Sequence, residues 1–464
     1  MNKILITVLS FLLLQAGTAI AQKQAPPEGS APKDFRLPAK QDFDLANGLS
    51  ASMVPYGEIP KVTVGIIVQA GNVHEGEKEN GLADIVGNLL QEGTATRNAR
   101  QLAEKVAHMG GSLYVSVGPN QTAVYGSALS EYGPELVRLM ADLLQNPAFP
   151  ESEVERVKND FKRQMNLARQ QPGTQAQVKF MSVLYPNHPY GRALPTDAMI
   201  EGFTLEQVRN FYNTHYGADR TNVYVAGKFD GGAMKEAITA SLNDWEKGPA
   251  PQIAVAKPVT KGEMLVIDRP GAPQSTIVFG LPVVDPAHPD YMPLRITNSL
   301  LGGSFGSRIT RNIREDKGYT YSPYSTLAAR YRVGDWSQVA DVTTEHTGNS
   351  LREIVNEINR LSKEPPSKEE LEGIKNYEAG LFVLRNSTPG GIIGQLNFLE
   401  LHGLPESFLT NQVQNIMAIT PQQVQQTAQK YIRPKDMTLV VVGDRKQIDS
   451  QLKTFQGNLK KNPL

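Results

Sequence analysis

Residues 154–160, VERVKND, return as LEGIKNY at 371–377, an offset of 217. Further along, TLEQV at 204–208 returns as TPQQV at 420–424, and NVYVAG at 222–227 as TLVVVG at 438–443, both at an offset of 216. Chance could supply one such match; three in the same order, one residue apart in offset, mark an internal duplication. The helix starts repeat as well. Thr204 and Thr420 are each followed three residues later by a glutamine, Gln207 and Gln423, the spacing of a capping box. Pro421 adds the proline favoured in a first helical turn.

Around these landmarks strand-like runs (KVTVGIIVQA at 61–70, SLYVSVGPNQTAVYGSAL at 112–129, TNVYVAG at 221–227) alternate with amphipathic helical runs (TRNARQLAEKVAHMG at 96–110, SEVERVKNDFKRQMNLARQ at 152–170). The expected fold class is α+β, built from two duplicated halves, each a mixed sheet packed with helices. The halves are assigned to residues 38–246 and 260–456. Residues 247–259 read as an exposed linker from their Pro, Gly and Ala content, and the proline-rich, polar residues 22–37 as a flexible lead-in. SLYVSVGPNQTAVYGSAL reads as a hairpin turning at Pro119-Asn120.

The first residues, MNKILITVLSFLLLQAGTAIAQ, carry Lys3 before a short apolar run and end in Ala19-Ile20-Ala21, the small-x-small pattern of a signal-peptidase site. Residues 1–21 are therefore read as a cleaved signal peptide, the alternative being an uncleaved anchor. The expected location is periplasmic or secreted, with no stable membrane insertion after signal removal. With 40% hydrophobic and 20% charged residues among 464, the composition is that of an ordinary globular protein. Lys plus Arg equal Asp plus Glu at 47 each, which argues against nucleic acid as a partner. No cysteine is present, so there is neither a disulfide framework nor a thiol nucleophile.

Residues 80–94 read NGLADIVGNLLQEGT, with Leu82, Ile85, Val86, Leu89 and Leu90 on one helical stripe. Asp84 and Asn88 lie one turn apart on the polar face, at the spacing helix-borne metal ligands use, with Gly87 between them. This helix, the preceding QAGNVHEGEKEN, the duplication and the export signal together resemble the pitrilysin/insulinase family of zinc peptidases in its short two-domain form. The resemblance covers nearly the whole mature chain and implies the mitochondrial-processing-peptidase/insulinase type of fold.

Catalytic members of that family carry His-x-x-Glu-His between Gly-Leu-Ala and Glu-Gly-Thr. Here Gly81-Leu82-Ala83 and Glu92-Gly93-Thr94 are both present, but Asp84 and Asn88 stand at the histidine positions and Gly87 at that of the general base. Counting to the family's third ligand, a glutamate on a later helix, gives Gln164. An asparagine and a glutamine offer neutral carbonyl oxygens, and a glycine can take no proton from a metal-bound water. The expectation is no cofactor in this chain and no peptidase activity by the chain alone. The seven histidines lie at least 27 residues apart, which leaves a discontinuous site such as His346 with Glu345 as the alternative.

In the second half, SLLGGSFGSRITRNIREDKGYTYSPYS at 299–325 keeps the family pattern. SRITRNIRED reads as a short helix stopped by a left-handed Gly318, followed by a strand in which Tyr319 and Tyr321 share a side. In similar enzymes an arginine and a tyrosine at the seven-residue spacing of Arg314 and Tyr321 reach a zinc site formed by an N-terminal half, hold the substrate backbone and stabilise the oxyanion. Gly302, Gly303 and Gly306 resemble a glycine-rich segment lining the substrate path in noncatalytic subunits; a plain turn between helices is the other reading. Leu113 and Val115, on the first strand of the hairpin, fall where similar enzymes bind an extended peptide. The resemblance thus implies a noncatalytic subunit whose zinc-bearing paralogous partner supplies the metal, with an unfolded peptide as substrate. The alternative is a peptide- or protein-binding pseudoenzyme scaffold.

Overall fold

The β-branched runs form the sheets. Residues Lys61–Val68 are buried at nearly every position, as a central strand covered on both faces should be. Together β1 (Gln41–Asp44), β2 (Ser50–Pro55), β3 (Lys61–Val68), β4 (Ser112–Val117), β5 (Thr122–Leu129) and β6 (Thr221–Gly227) make one sheet in the order β1-β2-β6-β3-β5-β4. A second sheet contains β7 (Met264–Asp268), β8 (Gln274–Val283), β9 (Tyr324–Arg330), β10 (Val333–Thr343) and β11 (Thr438–Gly443) in the order β7-β11-β8-β10-β9. The parallel pairs are β2 with β6 and β7 with β11; the other neighbours are antiparallel. With β1 set aside, the sheets have one topology, so the duplication is visible in the strand order. The hairpin turns between Val117 and Thr122, and β4 is a sheet edge.

The structure, a computed structural model, describes residues 35–461. The signal-peptide reading and the lead-in as far as Asp34 lie outside these residues. Among the described residues no helix is long and apolar enough to cross a membrane.

The N-terminal half carries α1 (Leu82–Leu90), α2 (Ala99–His108), α3 (Gly133–Gln145), α4 (Glu151–Gln170), α5 (Pro172–Leu184), α6 (Leu205–His215) and α7 (Gly231–Leu242). The C-terminal half carries α8 (Tyr291–Asn298), α9 (Thr347–Lys363), α10 (Lys368–Arg385), α11 (Pro389–His402), α12 (Pro421–Tyr431) and α13 (Arg445–Lys461). Both capping boxes form. The Gln207 and Gln423 amides donate to the Thr204 and Thr420 hydroxyls at 3.2 Å, and each glutamine side chain accepts from its threonine's N–H.

The halves are held together by an exchange of equivalent helices. α5 and α11 begin at prolines 217 residues apart, and each covers the other half's sheet. Ala176, Phe180 and Leu184 of α5 pack with Val278, Val440 and Val442 of the second sheet. Ile392, Ile393 and Leu396 of α11 pack with Val54, Ile67 and Tyr224 of the first. Gln121 and Asn397 close the seam with reciprocal amide hydrogen bonds of 3.1 and 2.9 Å. Each large aliphatic or aromatic side chain buried this way contributes about 1.5–3 kcal/mol, which separation of the halves forfeits on both sides.

Two segments expected to be loose are docked. Phe35, near the end of the lead-in, packs edge-to-face on Phe382 of α10 with ring centroids 5.1 Å apart. In the linker, Ala256 is buried, and the Val259 N–H donates to the Leu184 carbonyl at 2.8 Å. Pro and Gly keep the linker out of helix and sheet; the Val259 N–H is satisfied by the end of α5, and the Ala254 carbonyl by His188 Nε2 at 2.9 Å.

Candidate functional site

α1 starts after Gly81, held at φ +90°, and lays Leu82, Ile85, Val86, Leu89 and Leu90 into the N-terminal core. Its other face meets β4. A Cβ at Gly87 would overlap the Val117 Cγ2 methyl and lie 3.6 Å from Val115 Cγ1. The space beside Gly87 is therefore filled from the edge strand. Asp84 accepts a 2.8 Å hydrogen bond from Asn72 Nδ2, and burial raises its pKa.

Gln164 does not join these positions. It is exposed on α4, while Phe161 and Met165 of that helix turn toward Asp84. A zinc ion needs several anionic or imidazole donors at one point. The donor set here is one desolvated carboxylate, an asparagine and a glycine blocked by valine, which does not fit zinc. Among the described residues no three His, Cys, Asp or Glu side chains converge as a metal site.

Asp84 instead lines a cavity of about 290 Å³ with Glu75, Phe161, Met165, Tyr190 and Arg330. Glu75 was not singled out from the sequence, yet it is the most perturbed acid of the cavity. It is buried, and its Oε1 accepts from Asn72 Nδ2 (3.1 Å) and from the N–H groups of Gly81 (3.1 Å) and Ala83 (3.0 Å), thereby capping α1. Burial, with Asp84 adding repulsion, pushes its carboxyl up to about 7. Arg330 enters from the C-terminal half, paired with Asp335 at 2.8 Å and lying over the Tyr190 ring.

The histidine spacing also concealed a pair. His74 and His215 stand with ring centroids 5.2 Å apart, and Arg220 Nη2 lies 3.4 Å from His74 Nε2. Burial, reinforced by Arg220, holds both rings neutral down to about pH 4. A guanidinium against the ring nitrogen disfavours a second cation there. His346 does lie 3.3 Å from Glu345, but its ring is stacked on Tyr319.

In the C-terminal half, residues 308–316 are helical, closing in wide turns over Arg311–Asp316. Gly318 takes φ +65°, the Gly318 N–H donates to the Arg314 carbonyl and the Tyr319 N–H to that of Ile313. The expected strand does not begin at Gly318. β9 starts at Tyr324, because Pro323 has no N–H for a ladder and the chain is still leaving the turn. Tyr319 and Tyr321 consequently do not share a side: Tyr319 packs on His346 and the core, whereas Tyr321 is 80% exposed.

That exposure brings Tyr321 to Arg314. The guanidinium carbon lies 5.3 Å from the Tyr321 ring centroid and 4.3 Å from that of Phe305. Gly302 is buried where a Cβ would come within 2.7 Å of Ser325 Oγ, and a Cβ at Gly303 would collide with the Asn298 amide. Gly302 lets the segment after α8 sit tightly on β9, and Gly303 lets it fold back on the end of α8. Leu113 and Val115 lie on edge strand β4 with half-buried side chains; the Val115 N–H points off the sheet edge to Gln91 Oε1 at 3.3 Å. The structure therefore forms two separate groups, Asp84–Gly87–Asn88 beside β4, and Arg314–Tyr321 beyond the start of β9. Arg330, which reaches the Asp84 cavity, is at the other end of β9, about 20 Å from Tyr324.

Two helix-exchanged α/β halves, the first with Asp84, Gly87 and Asn88 along one helix and the second with an arginine–tyrosine pair, define a two-domain peptidase fold. The chain belongs to the M16 (insulinase) peptidase family: residues 56–197 match the insulinase (peptidase family M16) domain, and residues 202–377 match the peptidase M16 inactive domain. It is similar to an uncharacterized zinc protease of Bacillus subtilis, 25% identical over 345 residues that cover 74% of this chain and 83% of that protein. It is 29% identical over 284 residues to the mitochondrial-processing peptidase subunit beta of Rattus norvegicus, covering 59% of this chain and 56% of that one. Among solved structures, a peptidase M16 inactive domain from Pseudomonas fluorescens superposes with a TM-score of 0.79 at 25% identity, over 87% of this chain and 98% of that chain. A protease from Helicobacter pylori superposes with a TM-score of 0.82 at 18% identity, over 88% of this chain and 100% of that one.

Proposed function

We propose that this chain is the noncatalytic subunit of an exported, heterodimeric M16 metallopeptidase, lending Arg314 and Tyr321 to an active site whose zinc is held by a paralogous partner. The observation that carries the reading is the contact of the Arg314 guanidinium with the outward-facing Tyr321 ring, in the half that does not carry the Asp84 helix. An N–H fork and an O–H aimed at one place suit a developing oxyanion and a peptide carbonyl. A relative named as a peptidase subunit supports a paired arrangement. In this reading zinc in the partner activates water, and this chain's residues bind and orient the peptide.

The test is hydrolysis of a quenched fluorescent unfolded peptide by the mature chain alone and by its complex with a zinc-bearing M16 chain copurified from the native host. The chain alone should be inactive. Tyr321→Phe should leave assembly intact and lower kcat of the complex about ten- to a thousandfold with little change in KM. Arg314→Ala should also weaken peptide binding, since the fork acts in the ground state. Chelator-sensitive hydrolysis by the pure chain, or unchanged kcat in both variants, overturns the reading; the latter leaves a peptide- or protein-binding scaffold.

A further inference from the structure

Phe305 is 66% exposed, at the tip of the GGSFGS segment. Its position is built rather than loose. Ser304 and Ser307 on either side are buried, the Ser307 N–H donates to the Ser304 carbonyl, and Ser307 Oγ donates to Thr310 Oγ1 at 2.9 Å. Arg311 Nη2 reaches the Gly306 carbonyl at 3.4 Å. The loop is thus tied on both sides of a ring that faces solvent on most of its surface, and Arg314 lies against that ring.

Among the described residues, no carboxylate and no side-chain or backbone acceptor holds the Arg314 guanidinium; two aromatic rings do, at 4.3 and 5.3 Å. A ring against the face of a guanidinium leaves its N–H edge free for an incoming acceptor. An ion pair would have fixed the group but consumed its donors. We infer that Phe305 is a positioning residue: its ring holds the Arg314 guanidinium beside the Tyr321 ring, leaving N–H donors for a peptide carbonyl. This inference rests on the proposed role of Arg314 and Tyr321.

The experiment uses the full mature chain with 15N-labelled arginine side chains, comparing wild type, Phe305→Leu and Phe305→Trp, with circular dichroism as the check on folding. Phe305→Leu keeps an apolar side chain without a π face, so the Arg314 Nε–H order parameter should fall, and Phe305→Trp should preserve it. In the partner complex, Phe305→Leu should lower kcat/KM about three- to tenfold, and have no further effect in the Arg314→Ala background. An unchanged Arg314 order parameter in Phe305→Leu overturns the inference with no partner needed. An equal loss of kcat/KM in the Arg314→Ala background also overturns it, because the ring would then act by its own contact with peptide or partner. If Phe305→Leu loosens Arg314 but hydrolysis ignores both Phe305→Leu and Arg314→Ala, the positioning stands and the active-site role of the pair fails.

Discussion

Gly87 and Glu75 show how single residues set the character of the first half. In a helix interior alanine is normally better than glycine by about 0.5–1 kcal/mol, yet at Gly87 the added methyl meets Val117. Overpacking of this kind costs about 1–3 kcal/mol, so Gly87→Ala should be destabilising, and in a Val117→Ala background it should become neutral or stabilising. Urea unfolding of the four chains measures this, and identical effects of Gly87→Ala in both backgrounds would refute the clash. The same valine stands against any larger side chain here: Gly87→Glu needs a smaller residue at 117. Glu75 carries a pH signature. Its carboxyl, ordinarily at 4.5, is raised by burial to about 7 in the folded chain, so the stability it contributes is complete below about pH 4.5 and is lost as pH rises through about 7. The loss amounts to at most about 3 kcal/mol. Glu75→Gln keeps an oxygen to cap α1 and removes the titration, so its stability should vary less between about pH 5 and pH 7.5 than that of wild type. Parallel slopes in thermal melts across that range would exclude the effect.

Among the elements, edge strand β4 decides whether this chain grips peptide on its own. Its side chains alternate as a strand should, with Leu113, Val115 and Val117 toward the core and Tyr114 and Ser116 outward. An extended peptide could add by main-chain hydrogen bonds, but the Val115 N–H is already taken by Gln91 Oε1. Gln91→Ala should free that donor and strengthen binding of an extended peptide to the isolated chain about two- to tenfold, the range for one hydrogen bond. Fluorescence titration with a labelled unfolded peptide reads this, and unchanged or weaker binding would show that β4 is not the docking edge. The pair of segments around Arg314 behaves differently. Among the described residues nothing accepts from the Arg314 guanidinium, consistent with use by something outside the chain.

At the scale of the whole molecule, α5 and α11 make the halves interdependent. Each half would expose a sheet face if the other left, and the linker is itself docked along α5. Cutting the chain at a protease site introduced between Pro249 and Gln252 should therefore leave one particle on gel filtration and one unfolding transition. Separation into two folded halves would refute the interlock. Ile393→Ala, at the centre of the α11 contact, should cost about 2–5 kcal/mol and lower that single transition.

The sequence by itself determined the duplication, the capping boxes, the hairpin, the helix that bears Asp84, Gly87 and Asn88, and the spacing of Arg314 and Tyr321. These are signals of short range: periodicity, cap chemistry and repeats depend on residues a few positions apart or on matching copies. Tertiary structure alone decided what those residues meet. Val117 fills the space beside Gly87, Met165 rather than Gln164 faces Asp84, His74 finds His215 across 141 positions, and Phe305 lies on Arg314. The exchange of α5 and α11 was equally hidden, since an apolar stripe says that a helix must be buried but not which of two like sheets will bury it. That choice is made by the path of the whole chain, where each half's exposed sheet face is satisfied by the other's helix.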